Sequence, residues 1–246
     1  MTNKARHYST FNLFLRSLLL SIIMIFTAIL QFLICLIVLP LPLKTRYNIS
    51  MIWVAGMLWL MRKLCHINYT VKGREHLKHI KNGIVFSKHQ SAWETFYLEN
   101  AFRGAAVIVK KELLWLPFFG WSLALLSPIA ISRQRRRSAM QQIIQQGQRY
   151  LDQGRWILVY PEGTRIAPGA VGHYRMGGAR LAVETGYPVI PVAHNAGYCW
   201  PRRSFIKKPG TIQVVFGPPI YPKGRSPEEV LELAKNWIES TMLTLR

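Results

Sequence analysis

The sequence is poor in acidic residues. It contains 11 Asp and Glu against 32 Lys and Arg, for a formal net charge of +21, while 50% of its residues are hydrophobic. Strong positive charge rarely accompanies so much apolar content in soluble proteins, so the combination favours an anionic membrane surface as partner. Nucleic acid is the other common anionic partner, but no basic region with heptads, no zinc-ligand spacing and no aromatic RNP run occurs. We therefore expect no nucleic-acid binding.

Cysteine is also scarce. Cys35, Cys65 and Cys199 are odd in number, widely separated and not part of any C-x-x-C motif. This excludes a disulfide framework and gives no basis for a zinc site, so we expect no bound metal. A serine hydrolase is disfavoured too, because the nearest string to G-x-S-x-G, residues 120–124, lacks the second glycine.

One long apolar run stands near the N-terminus. From Ser17 to Leu43 there are 27 residues without a charge, more than the roughly 20 that cross a hydrocarbon core as a helix. The run continues into basic residues without a cleavage site, which argues against a signal peptide. The next uncharged stretch, Tyr47 to Met61, is 15 residues long, and we expect it to lie at the membrane interface. Basic residues flank the first run on both sides, so spanning and re-entrant arrangements both stay open.

After Arg62 the pattern changes to short β-rich runs separated by helical stretches. We predict N-terminal membrane-anchoring helices in residues 1–65 and an α/β domain in residues 66–246, with a mixed, largely parallel sheet flanked by helices. The predicted strands are Ile84–Phe86, Ala105–Val109, Pro128–Ile131, Trp156–Tyr160 and Val189–Ala193. The predicted helices are Trp93–Phe102, Ser138–Leu151, Gly178–Thr185 and one that begins at a capping box, Ser226-Pro227-Glu228-Glu229.

A histidine and a carboxylate follow the first buried strand. His89 and Glu94 are five residues apart at a strand-to-helix junction, where loops line the crevice of an open α/β sheet. A hydrogen bond from one imidazole nitrogen to Glu94 would fix the tautomer and stabilise the imidazolium, which makes His89 a candidate general base. A surface histidine that happens to lie near a glutamate is the alternative interpretation.

A polar turn follows a second buried strand. Glu162, Gly163, Thr164 and Arg165 come directly after Tyr160-Pro161. Gly163 allows a sharp turn and close approach of the backbone to a ligand, Thr164 offers a hydroxyl, and Arg165 offers a fork that matches phosphate oxygens. An ordinary polar turn would look the same.

A third candidate is Arg133, which follows the strand at residues 128–131 and precedes the basic run 135–137. The run itself fits a solvated or headgroup-facing surface. Arg133 lies nearest the strand end, so we predict that it makes a specific phosphate contact.

Together these motifs resemble the four-block pattern of the glycerolipid acyltransferases. His89 with Glu94 is similar to the first block, Ile131-Ser132-Arg133 to the second, residues 160–165 to the third and Val189-Ile190-Pro191-Val192 to the fourth. The resemblance covers roughly residues 83–192 and is strongest to the bacterial members that acylate 1-acyl-glycerol-3-phosphate. Three positions depart from the family pattern: Glu94 replaces Asp, Ser132 replaces an acidic residue and Tyr160 replaces Phe.

The resemblance implies transfer of a fatty-acyl group from acyl-CoA or acyl-carrier protein to the sn-2 hydroxyl of 1-acyl-glycerol-3-phosphate, giving phosphatidic acid. It implies His89 as base, Glu94 as its orienting partner, and Arg133, Glu162, Gly163, Thr164 and Arg165 as substrate-binding residues, with no metal or organic cofactor. It also implies a bacterial inner-membrane protein in contact with membrane phospholipids, with its catalytic domain on the cytoplasmic side.

Two alternatives stay open from the sequence. The same chemistry could act on another acceptor, such as glycerol-3-phosphate or a lyso-amino-acid lipid. A non-catalytic, basic, membrane-anchored lipid-binding module would also explain the charge and the apolar N-terminus, but it has no use for a His-carboxylate pair beside a phosphate-type turn.

Overall fold

The computed structural model describes residues 8–132 and 136–245, and within them the chain forms a seven-stranded sheet. The strand order is β1-β7-β6-β2-β5-β3-β4, and every neighbouring pair is parallel except β6 with β7. The strands are β1 (Ile67–Lys72), β2 (Ile84–Ser87), β3 (Ala106–Lys110), β4 (Ile129–Ile131), β5 (Ile157–Val159), β6 (Val189–His194) and β7 (Gly210–Phe216). This confirms the predicted mixed, largely parallel sheet.

Helices cover both faces of the sheet. In β2, Val85 belongs to one buried cluster, shared with the helices α2 and α3, whereas Ile84 and Phe86 belong to a second cluster, shared with α5, α6 and α8. Alternate residues of a strand point to opposite faces, so a fully apolar strand requires cover on both. The helices are α1 (Thr10–Ile37), α2 (Leu43–Leu64), α3 (Trp93–Ala101), α4 (Phe119–Ala124), α5 (Arg136–Asp152), α6 (Gly177–Thr185), α7 (Ala196–Cys199) and α8 (Pro227–Met242).

The first two helices form an antiparallel hairpin. The Arg16 guanidinium near the start of α1 donates to the Leu64 carbonyl at the end of α2 over 3.0 Å. Near the other end, the Gln31 amide donates to the Ser50 hydroxyl over 3.0 Å. Of the helices described, α1 is the one long and apolar enough to cross a membrane.

Both halves of α1 also contact the α/β domain. Ser17 accepts a hydrogen bond of 2.9 Å from the Lys207 backbone N–H, and further along the helix Phe32 packs on Trp121 with 5.3 Å between ring centroids. Consequently α1 runs along the side of the domain and does not project away from it. Its outer face keeps a row of exposed apolar side chains, including Ile22, Phe26 and Leu33.

Helix α2 is longer and more buried in protein than the 15-residue interfacial segment predicted. Met51, Val54, Met57 and Met61 are almost fully buried, and they belong to the cluster that covers one face of the sheet. Only part of the helix, including Trp59, is left exposed. One face of α2 is therefore a component of the protein core.

The strands and helices predicted for the α/β domain are all present, with ends that differ by at most two residues. The sequence patterns do not predict two further strands, β1 and β7. In β1 polar and apolar residues alternate, and the strand lies at the sheet edge with most of its side chains exposed, so it lacks the continuous apolar run by which the central strands are recognised. Strand β7 ends in the apolar run Val214-Val215-Phe216, a signal that the prediction did not use. The division at residue 65 stays a prediction.

Candidate active site

The two predicted motifs meet because β2 and β5 are neighbours in the sheet. These strands are parallel, so their carboxyl ends open onto the same edge, and the loop after each strand lies beside the other. The backbone N–H of Ile166 donates to the His89 carbonyl over 2.8 Å, and the His89 ring stacks on Tyr160 with 4.3 Å between centroids. Two motifs that are distant in the sequence thus form one site.

His89 and Glu94 form a hydrogen-bonded pair. His89 Nδ1 lies 2.8 Å from Glu94 Oε1, and the same oxygen accepts from the backbone N–H groups of Gln90 at 2.9 Å and Ser91 at 2.8 Å. An ionised carboxylate can only accept, so Nδ1 carries the hydrogen and Nε2 keeps its lone pair. Because His89 also lines the large cavity described below, Nε2 is available to take a proton there.

The environment keeps Glu94 ionised. Its side chain is fully buried, and burial alone would raise the pKa of Glu94. The nearby imidazoles of His194 and His89 and the hydrogen bonds from His89 and the Ser91 N–H outweigh that effect, and the pKa of Glu94 lies below its ordinary value. An ionised Glu94 can stabilise the imidazolium that forms when His89 accepts a proton.

Glu162 lies behind the histidine and does not line the cavity. One carboxylate oxygen accepts from the His89 backbone N–H over 3.0 Å, and the other accepts from the Lys88 ammonium over 2.7 Å. Burial raises the pKa of Glu162, and the ion pair with Lys88 opposes this shift. Glu162 therefore holds the backbone of the histidine loop, whereas the family resemblance implied that it binds the substrate.

A cavity of about 1070 Å³ opens beside this pair. One part is apolar, and its walls come from helices α2 to α4, strand β3 and the short 3-10 helix Lys111–Trp115. This part is lined by Trp53, Phe96, Val107, Val109, Leu113 and Leu123. Another part is basic, with Arg165, Arg175 and Arg180 in its lining. None of these three guanidinium groups forms an ion pair with a carboxylate of the described residues, so the basic part is free to bind an anion.

The remaining predicted site residues have different positions. Gly163 lines the cavity, and its backbone is in the left-handed conformation, with φ of 66°. Its N–H donates to the Tyr160 carbonyl over 2.9 Å. This amide therefore closes the turn and is not free to stabilise the oxyanion of an acyl-transfer intermediate. Arg165 lines the cavity and is half-buried, whereas Thr164 is exposed and outside its lining. Arg133 lies outside the described residues.

Several residues at the site were not singled out from the sequence. Arg175 is placed by its N–H, which donates to the Pro161 carbonyl over 2.9 Å, and Arg180 follows on α6. His194 is buried; its Nε2 lies 2.7 Å from the Lys88 carbonyl, and its Nδ1 accepts a hydrogen bond from the Ala196 N–H. Burial lowers the pKa of His194. Of these residues, only Arg175 and Arg180 could have been suspected from the sequence, because they flank the Gly-Gly pair with which α6 begins.

Comparison with known proteins decides the family. The sequence profile named Acyltransferase matches residues 68–195. The chain is 45% identical over 206 residues to 1-acyl-sn-glycerol-3-phosphate acyltransferase of Pseudomonas aeruginosa, covering 82% of this chain and 80% of that protein. It is 31% identical to the human 1-acyl-sn-glycerol-3-phosphate acyltransferase alpha, covering 78% and 70% of the two chains. The chain belongs to the acyltransferase family.

A solved structure shares the fold of this acyltransferase. The crystal structure of the 1-acyl-sn-glycerophosphate (LPA) acyltransferase PlsC from Thermotoga maritima superposes with a TM-score of 0.77 at 22% identity, over 94% of this chain and 96% of that one. The coverage shows that the agreement extends to nearly the whole chain. The described part of the acyltransferase has no group of three or more His, Cys, Asp or Glu side chains that could hold a metal ion.

Proposed function

We propose that this acyltransferase moves a fatty-acyl group from acyl-CoA or acyl-carrier protein to the sn-2 hydroxyl of 1-acyl-glycerol-3-phosphate, forming phosphatidic acid. The observation that carries the proposal is the 2.8 Å His89–Glu94 pair at a cavity with one apolar part and one basic part. The acceptor has this dual character, because it combines an acyl chain with a phosphate. The relatives named above are acyltransferases of that acceptor.

The reaction needs a base, because a lipid hydroxyl is too weak an acid to attack a thioester unaided. His89 Nε2 takes the hydroxyl proton while the hydroxyl oxygen bonds to the thioester carbonyl carbon. Glu94 stabilises the imidazolium through Nδ1–H. Collapse of the tetrahedral intermediate breaks the C–S bond, and the imidazolium returns the proton to the departing thiolate. The protons balance with no metal or organic cofactor.

The basic part of the cavity would bind the acceptor phosphate. Arg165 follows the turn that begins at Tyr160, whose ring stacks on His89. Its guanidinium has no carboxylate partner among the described residues, so it is free for a bidentate contact with phosphate. Arg133 and Thr164 stay proposed as further contacts. The apolar part, lined by residues such as Phe96 and Leu113, fits an acyl chain and excludes water from the thioester.

The hairpin supports attachment to a single leaflet. Contacts at Ser17 and Phe32 hold α1 along the side of the domain. When α1 is inserted into lipid, the catalytic domain therefore stays at the membrane surface, where an acceptor with one acyl chain resides. Phospholipids are therefore partners of the outer face of α1. We propose the bacterial inner membrane, with the catalytic domain on the cytoplasmic side.

An acceptor panel tests the proposal. Purified protein in detergent is given radiolabelled acyl-CoA, or acyl-carrier protein in a parallel reaction, with lysophosphatidic acid, glycerol-3-phosphate or a lyso-amino-acid lipid. We expect label to appear in phosphatidic acid. Transfer to glycerol-3-phosphate or the amino-acid lipid in preference to lysophosphatidic acid would overturn the acceptor, and binding without transfer to any acceptor would make the protein a lipid-binding module.

A further inference from the structure

Beneath the histidine loop lies a buried ionic cluster that includes the C-terminal helix. The Lys88 ammonium is almost fully buried and donates to Glu162 over 2.7 Å, to Glu239 over 2.8 Å and to the Ala170 carbonyl over 3.2 Å. Glu239 belongs to α8 and also accepts from the Tyr174 hydroxyl over 2.7 Å. One ammonium thus joins three separate parts of the chain to the loop that carries the base.

We propose that Glu239 and Lys88 are positioning residues for the general base, so that the C-terminal helix is part of the catalytic machinery. The connection runs from Glu239 to the Lys88 ammonium, from there to Glu162 Oε1, and from Glu162 Oε2 to the His89 backbone N–H at 3.0 Å. This inference rests on the proposed function, because it assigns a role in transfer by His89.

Charge makes the cluster interdependent. Two carboxylates share one ammonium, and the side chains of Lys88 and Glu162 are no more than 1% exposed, while that of Glu239 is 18% exposed. Each oxygen of Glu162 is committed, one to the cation and one to the His89 amide. When a partner in a buried cluster is lost, the remaining charges are left uncompensated and move or change protonation. A shift of Glu162 would stretch or break its hydrogen bond to the His89 backbone N–H, which holds the loop of the base.

The same cluster reaches the cavity wall. Tyr174 lies between His173 and Arg175, which both line the cavity, and its hydroxyl is tied to Glu239. Glu239 therefore anchors the segment that carries Arg175 as well as the lysine that precedes the base. A surface glutamate on a packing helix would have no such pair of contacts.

The test uses Glu239→Ala and Glu239→Gln in the full-length protein, with Glu232→Ala as the matched control, since Glu232 is exposed on the same helix. Because misplacement of a catalytic group by about 1 Å can cost about 10²-fold, we expect Glu239→Ala to lower kcat by about tenfold to a hundredfold. Glu239→Gln should retain more activity, because an amide oxygen still accepts from Lys88 and Tyr174. KM for the acceptor should change less than kcat, because Arg165 does not lie on the segment that Tyr174 holds, and the Glu232→Ala control should match wild type.

A double-mutant cycle with Lys88→Met separates positioning from plain stability. If the effect of Glu239 passes through Lys88, the two kcat losses are non-additive. Unchanged kcat in Glu239→Ala with a lowered Tm would overturn the inference, as would kcat losses that add. If Lys88→Met does not fold, the changes in kcat and KM of the Glu239 variants relative to Glu232→Ala decide whether Glu239 is a positioning residue. An inactive wild type would instead refute the proposed function.

Discussion

The Glu94→Gln substitution isolates the contribution of the negative charge to catalysis. Three donors converge on Glu94 Oε1, and two of them are the fixed backbone N–H groups of Gln90 and Ser91. They hold the oxygen of a glutamine amide in the same place, so His89 Nδ1 still donates to oxygen and its tautomer is preserved. What disappears is the carboxylate charge opposite the imidazolium.

The expected loss follows from that geometry. A hydrogen bond to a charged group contributes about 1.5–3 kcal/mol, whereas neutral pairs contribute about 0.5–1.5 kcal/mol. If the difference is felt mainly when His89 is protonated, kcat falls by about 5- to 50-fold with KM little changed, since about 1.4 kcal/mol is tenfold in rate. Steady-state transfer to lysophosphatidic acid measures this, with Glu94→Asp as the comparison that keeps the charge.

Three outcomes would refute the reasoning. A Glu94→Gln enzyme within about twofold of wild type would show that the imidazolium needs no charged partner. A loss of about 10⁴-fold, the size that follows when a catalytic imidazole is held in the wrong tautomer, would show that the amide has turned and inverted the tautomer of His89. A Glu94→Asp enzyme weaker than Glu94→Gln would show that reach matters more than charge.

Three further predictions concern stability and reactivity. Burial raises the pKa of Glu99 to about 7 from 4.5, so the folded state binds the proton of Glu99 more tightly than the unfolded state does. The free energy of unfolding should therefore fall by on the order of 3 kcal/mol as the pH rises from about 4.5 to about 7. Glu99→Gln should remove this contribution to the pH dependence of Tm. Gly178→Ala should lower the free energy of unfolding by about 1–3 kcal/mol, measured as a lower Tm, because the added Cβ would lie 2.5 Å from the Phe86 ring. Burial raises the pKa of the Cys65 and Cys199 thiols to about 11, so maleimide at neutral pH should label these two only after denaturation, as mass spectrometry of the labelled peptides can show.

The sequence was informative where chemistry lies next to a buried strand. Ile84–Phe86 and Trp156–Tyr160 are continuous apolar runs, so their strands and the polar loops after them could be identified. That β2 and β5 are neighbours follows from sheet order, which no local pattern specifies. The resemblance to a known family therefore supplied the association of His89 with Arg165 that spacing alone could not.

Other parts of the site could not be predicted for a physical reason. Glu239 is 151 residues from Lys88 and looks like any polar residue of an amphipathic helix, yet it joins the cluster beneath His89. Similarly, the apolar periodicity of Met51 to Met61 was compatible with lipid or protein contact, and packing against the sheet domain decided for protein on one face. Such contacts depend on tertiary packing.

The most direct test of the central claim is acyl transfer to lysophosphatidic acid by His89→Ala beside wild type and His79→Ala. His79 is an exposed histidine outside the cavity lining, so its variant controls for loss of an imidazole. We predict phosphatidic acid from wild type and His79→Ala, and a loss of about 10²- to 10⁴-fold in His89→Ala, the range typical of a general base. Wild-type rates in a folded His89→Ala enzyme would contradict the assignment of His89 as the base.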